Sequence, residues 1–141
     1  MDGLAYLRAV AAGTLALPPV AATLGFRLLR ADHGLVVLDI TPDAFLNNPA
    51  GAVLGGVCAA VCDAACACAV LSMLPARAVH ATQSLTTNFL RPVTTQTGRL
   101  CCTASVMHLG RRAALAEARL ADSGERLCVQ ATSTFVISEG R

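Results

Sequence analysis

The order of apolar and polar positions divides this chain into a helical lead, a hairpin, one long apolar run and four alternating segments. The early apolar stretch from Ala9 to Leu17 is interrupted by Gly13 and Thr14, so a short amphipathic helix ended by Pro18-Pro19 is expected. Leu24 to Arg30 and Leu35 to Ile40 read as a hairpin around Ala31-Asp32-His33-Gly34. A loop carrying Asn47-Asn48-Pro49 then leads into a helix from about Ala52 to Met73, which Pro75 stops. Strand-like segments follow at Ala78 to Phe89, Gly98 to Leu109, Arg112 to Ala121 and Arg126 to Ile137, punctuated by Arg91-Pro92, Gly110 and Ser123-Gly124. The third is rich in helix-forming Ala, Glu, Leu and Arg. Its alternation of Ala114, Ala116, Ala118 and Leu120 with Leu115, Glu117 and Arg119 nevertheless favours a strand.

A helix that is apolar all round must be buried all round, and Ala, Gly and Cys suit close approach to a curved surface. The pattern therefore predicts an α+β domain spanning residues 1–141, its antiparallel sheet wrapped around a long central helix. Ala50 to Leu74 is long enough to span a bilayer, but Asp63 at its middle would cost roughly 3 kcal/mol there. A core helix fits better, and no membrane association is expected. At the N-terminus Asp2 precedes Arg8, unlike the basic start of a signal peptide.

Net charge is +2, the eleven basic residues are all scattered arginines, and aromatic content is 4% without Trp. That leaves neither a basic surface nor a stacking platform for nucleic acid. Of the seven cysteines, Cys58, Cys62, Cys66 and Cys68 crowd the long helix. Their spacing matches neither metal ligation nor helix-long disulfides, so they are read as small apolar residues in a reducing, cytoplasmic compartment. No metal or cofactor is expected.

Between Asp43 and Arg77 the one charged side chain is Asp63. A carboxylate in apolar company has to be paired, capped or chemically employed. Eight residues earlier, Gly55-Gly56 marks the loop-to-helix transition, where open backbone N–H groups favour an oxygen gaining negative charge. A base and an oxyanion donor are the minimum equipment for acyl-group hydrolysis. His33, His80 and His108 fall in a turn or on strands, without partners at catalytic spacing.

The stretch NNPAGAVLGGVCAAVCDAACACA resembles the N-P-x-G-x-x-H-G-G signature, followed by a helical Asp, of hotdog-fold acyl-CoA thioesterases of the phenylacetate-degradation type. TQSLTTNFLRPV is similar to that family's T-x-x-L-x-x-x-F-L-R-P strand, and HLGRR with ADSGERLCVQATSTF resembles its last strands. The resemblance implies a hotdog fold and hydrolysis of an acyl-CoA or acyl-carrier thioester. It implies that the N–H of Gly55, beside Gly56, meets the thioester carbonyl, and that Asp63 acts as general base or nucleophile. Thr82 would hold the attacking water, and Asn48 would contact the reacting groups. It further implies a site between protomers of a homodimer, paired into a homotetramer. Helix geometry agrees, because eight residues separate Gly55 from Asp63 by about 12 Å, too far to serve one carbonyl. Arg111 and Arg112, after Gly110, are candidates for a coenzyme A phosphate, as the guanidinium fork suits phosphate. The chain departs from the pattern at Leu54, where the family has His. That leaves a non-hydrolytic hotdog protein (acyl-binding, dehydratase or cyclase) as the alternative.

Overall fold

The computed structural model describes residues 1–140. It opens with helix α1 (Gly3–Ala11), capped by the Asp2 carboxylate, which accepts from the Ala5 amide at 2.8 Å. The expectation that this helix runs to Pro18-Pro19 is corrected. It ends at Ala11, and Pro19 instead starts a second helix, α2 (Pro19–Leu24), closed by Gly25 at φ 85°. Proline lacks an amide hydrogen and has a helical φ, so a first helical turn accommodates it better than a last one.

The hairpin follows as β1 (Phe26–Asp32) and β2 (Leu35–Ile40), then a short 3-10 turn at Ala44–Leu46 and the central helix α3 (Gly55–Leu71). The remaining strands are β3 (Ala78–Phe89), β4 (Leu100–Leu109), β5 (Ala113–Asp122) and β6 (Leu127–Glu139). All six form one antiparallel sheet in the order β1-β2-β4-β5-β6-β3. The helix-prone segment is indeed a strand. Ala114, Ala116, Ala118 and Leu120 point into the core, and two flanking ladders outweigh local helix preference.

The sheet curls around α3, which turns Cys58, Val61, Cys62, Ala65, Cys66, Ala69 and Val70 into it as a fully buried stripe. The other side of α3 is not enclosed. Gly56 is exposed, while Ala59, Ala60, Asp63, Ala64 and Ala67 are half-buried. The helix is therefore apolar all round without being buried all round within one chain. At its C-terminal end α1 crosses so closely that a Cβ on Gly3 would collide with the Leu71 carbonyl.

Asp39 ties the β1–β2 side of the sheet together. It is 3% exposed and takes Arg27 Nη2 at 2.7 Å and Arg99 Nε at 2.8 Å. Burial pushes its carboxyl up, but the hydrogen bonds from both guanidinium groups outweigh that and hold it below the usual carboxylate range. A depressed carboxylate contributes stability above its unfolded pKa of about 3.9, and loses it as pH falls through the folded value. Asp39→Asn should therefore cost about 1–2 kcal/mol at pH 7, since both arginines are exposed and screened. Denaturant titrations at pH 7 and at about pH 3 should show the deficit shrinking in acid.

Candidate active site

Two groups of residues, about two turns apart on α3, contain the candidate site residues of this helix. The first surrounds the start of the helix. Asn48 Oδ1 accepts from the amides of Ala50 at 3.0 Å and Ala52 at 3.1 Å, which closes a tight turn with Gly51 at φ 87°. Val53 then donates to the Val93 carbonyl and Leu54 to the Leu46 carbonyl, so the chain enters α3 on a fixed path. Leu54 is the N-cap residue and offers no side-chain acceptor. Its carbonyl takes the Val57 amide, and no acceptor among the described residues is assigned to the Gly55 and Gly56 amides. They point outward at the positive end of the helix dipole. A Cβ on Gly55 would press on the Phe89 ring, 3.1 Å from Cζ, so glycine also permits that contact. A cavity of about 340 Å³ opens here, lined by Gly55, Phe89, Leu90, Arg91 and Val129 among others. Leu54, just before Gly55 in the chain, has half its surface exposed. In the same loop Asn47, which sequence reasoning passed over, buries Oδ1 without a partner among the described residues.

The second group lies between α3 and β3. Thr82 Oγ1 donates to Asp63 Oδ1 at 2.8 Å. One helical turn on, His80 Nε2 sits 2.9 Å from the Ala67 carbonyl, and its ring lies 5.6 Å from that of Phe135. Alternate strand residues thus meet successive helix turns, because two strand residues and one helix turn advance the chain by similar lengths. Burial lowers the His80 pKa, outweighing the upward pull of the Ala67 carbonyl and the Asp63 charge. Nε2 is the donor in this contact, since the Ala67 carbonyl can only accept. His80 is thus close to Asp63 in space although seventeen residues away in sequence. The signal that could have found it is its position two residues before Thr82, on the same strand face.

Asp63 itself is half-buried, so its apolar sequence neighbours do not seal it in. Arg111 and Arg112 lie at the β4–β5 bend, in a cavity of about 800 Å³ with Met73 and Leu74 at the far end of α3. One chain therefore does not bring them to its own Gly55. His33 and His108 are exposed. All seven cysteines are free thiols, and burial pushes Cys58 up to about 11 and Cys66 up to about 12. Cys58 and Cys66 are thus protonated packing groups rather than nucleophiles. Among the described residues no cluster of His, Cys, Asp or Glu is arranged to hold a metal.

Residues 50–129 match the Thioesterase superfamily. The chain belongs to that superfamily. A phenylacetic acid degradation-related protein from Ralstonia eutropha JMP134 is 30% identical over 93% of this chain and 98% of its own, with a TM-score of 0.84. AziG of S. sahachiroi is 27% identical over 88% of this chain and 99% of its own, at 0.85. The E. coli PaaI protein of the phenylacetic acid degradation operon shares the fold at 21% identity, covering 99% and 98% with a TM-score of 0.85. No curated protein matches the chain. The sheet wrapped around α3 is thus the hotdog fold, and thioester hydrolysis is the general activity of this superfamily. Among the described residues no helix of this thioesterase is long and apolar enough to cross a membrane.

Proposed function

We propose that the protein hydrolyses an acyl-CoA or acyl-carrier thioester in a site shared by two protomers, with Gly55 from one chain and Asp63 from the other. The observation that carries this reading is the Asp63–Thr82 pair, held at 2.8 Å on the unenclosed side of α3. The open Gly55 amide lies about 12 Å away along the same helix. Beside that face runs β3, a twelve-residue strand at the sheet edge with β6 on one side only. An edge of that length is a template for strand pairing. A two-fold axis beside the middle of α3 would pair the β3 edges and set the helices antiparallel. Each Gly55 then meets the partner's Asp63, and the small side chains of Ala59, Ala60 and Ala64 allow the helices to approach. The same operation carries the partner's Arg111 and Arg112 past Gly55, toward the far end of a long thioester. Pairing of two such dimers gives a tetramer, and the free thiols suit a reducing cytoplasm.

In this arrangement the carbonyl oxygen accepts from the Gly55 amide, and Thr82 fixes the Asp63 carboxylate beside the attacking water. Asp63 takes the proton as water adds to the carbonyl carbon. The C–S bond then breaks, and the thiolate leaves to be protonated as free thiol. Asn48 shapes the turn through Oδ1 and keeps Nδ2 for the reacting groups. Attack by Asp63 itself would pass through an anhydride. Single-turnover hydrolysis in ¹⁸O-water separates the two routes, since only the anhydride route leaves label in the Asp63 side chain. Thiol release from a panel of acyl thioesters tests the function itself. A wild-type enzyme silent on the whole panel would contradict it.

Leu54 takes the place of a residue that could donate a hydrogen bond, and its exposed side chain makes the carbonyl site drier and more apolar. Leu54→His should raise kcat/KM on short or aryl acyl-CoA by about tenfold, the value of one added hydrogen bond near the carbonyl. Steady-state thiol release on those substrates checks it.

A further inference from the structure

We infer that His80 is the general acid of this site, its Nδ1 returning to the departing thiolate the proton that Asp63 took from water. The inference rests on the thioesterase reading above and goes beyond it, because that reading names no source for the thiolate's proton. His80 stands on β3 two residues before Thr82, and both side chains face α3. Thr82 meets Asp63 and His80 meets the Ala67 carbonyl, one helical turn further on. Carboxylate and imidazole therefore sit at levels about 6 Å apart along the helix. Beyond Ala67 the helix leads to Leu74, beside Arg111 and Arg112, the end assigned above to the carrier. With the carbonyl carbon beside Asp63, the sulfur points toward His80. One C–S bond followed by one N–H···S hydrogen bond spans that gap of about 6 Å.

The ring is held in place while one nitrogen stays free. Nε2 donates to the Ala67 carbonyl at 2.9 Å, and the ring centroid lies 5.6 Å from that of Phe135. Among the described residues no hydrogen bond is assigned to Nδ1, and the side chain is half-buried rather than sealed in. Nδ1 is thus the atom able to take up and release a proton. Burial keeps the His80 pKa below its ordinary 6.5, which makes the imidazolium a better acid toward sulfur. Carboxylic acids are stronger acids than imidazolium, and alkyl thiols are weaker. Each transfer, from carboxyl to Nδ1 and from Nδ1 to thiolate, therefore runs downhill. The steps balance. Water gives its oxygen to the carbonyl carbon and a proton to Asp63, and Nδ1 takes that proton from the Asp63 carboxyl. The C–S bond breaks with its electron pair on sulfur, and Nδ1–H protonates the sulfur. Acid and thiol leave, with Asp63 again a carboxylate and His80 again neutral.

The experiment varies the acidity of the leaving thiol. One acyl group is carried by ethanethiol, by trifluoroethanethiol and by coenzyme A, and kcat is measured for wild type, His80→Gln and His80→Ala. The first two thiols have like shapes, but the fluorinated one is the stronger acid and leaves readily as its thiolate. Glutamine can still donate to the Ala67 carbonyl, yet it delivers no proton to sulfur. His80→Gln should lower kcat about 10²-fold on the ethanethiol and coenzyme A thioesters, and less than about threefold on the fluorinated one. Each ratio is taken within one protein, so a reduced folded fraction cancels from it. Imidazole added to His80→Ala should restore part of kcat on the coenzyme A thioester. Equal losses on the two small thioesters, no loss on any substrate, or no restoration by imidazole would overturn the assignment. If the wild type releases thiol from none of the three, the thioesterase reading fails. If it is active and His80→Gln matches it throughout, the role of His80 alone fails.

Discussion

Asp63→Asn is expected to lower kcat by about 10²–10⁴-fold while leaving the fold and assembly intact. The size of the effect follows from what the carboxylate does. Water is a poor nucleophile toward a thioester, and a positioned base removes its proton as the C–O bond forms. Asparagine has nearly the same shape, and its Oδ1 can still accept from Thr82 Oγ1, now 2.8 Å from Asp63 Oδ1. Packing should change little, because Asp63 is half-buried at the unenclosed side of α3 rather than inside the Cys62–Cys66 stripe. A loss of function caused by misfolding would also lower the unfolding midpoint. The expected result is a normal midpoint, little change in KM, and a kcat reduced in single-turnover thiol release. Near-normal turnover of the Asn variant would remove Asp63 from the mechanism.

Gly55→Pro is expected to lower kcat by about 10²–10³-fold, the usual cost of deleting one oxyanion donor. Proline removes the amide hydrogen and leaves the carbonyl, so it tests the donor directly. The backbone can accept it. Gly55 is the first residue of α3, where proline's missing N–H breaks no helical bond. Leu54 already has φ −56° and ψ 132°, an extended conformation that a following proline favours. The ring would press on Phe89, whose side chain is largely exposed and can swing away. Gly55→Ala is the matched control, since it meets the same ring but keeps the N–H. Its kcat should fall far less than that of the proline variant. Equal losses in the two would mean that the glycine matters for space and not for its amide.

Much of this was legible in the residues, and the gaps have physical causes. The order of helix, hairpin, long helix and four strands followed from periodicity and turn residues. Even the Ala-rich β5 was readable, because its alternation outweighed its helix propensity. Pro18-Pro19 misled because proline marks a boundary without saying which side the helix lies on. The expectation that α3 is buried all round misled for a different reason. Periodicity reports which residues are apolar, and it does not distinguish burial under the chain's own sheet from an open face left for another surface. Gly55, Asp63 and Thr82 were nameable because a motif and a charge pattern mark them. The contact of His80 with the Ala67 carbonyl depends on the fold, and the sequence offers only its place two residues before Thr82 as a pointer to it. Arg111 and Arg112 stood out as a charged pair, yet their place at the far end of α3 appears only once the β4–β5 bend is set against the helix.

Sharing of the site between chains is tested most directly by mixing two inactive proteins. Asp63→Asn and Gly55→Pro chains, carrying different tags, are co-expressed, and the mixed dimer is isolated through both tags. If one chain's Gly55 works with the other's Asp63, each mixed dimer contains one intact site and one with both defects. Thiol release should then return to about half the wild-type rate per dimer, or about a quarter in an unsorted equal mixture. If both residues of one chain served the same carbonyl, neither chain could supply a complete site. A mixed dimer no more active than its two parents would contradict the shared-site account.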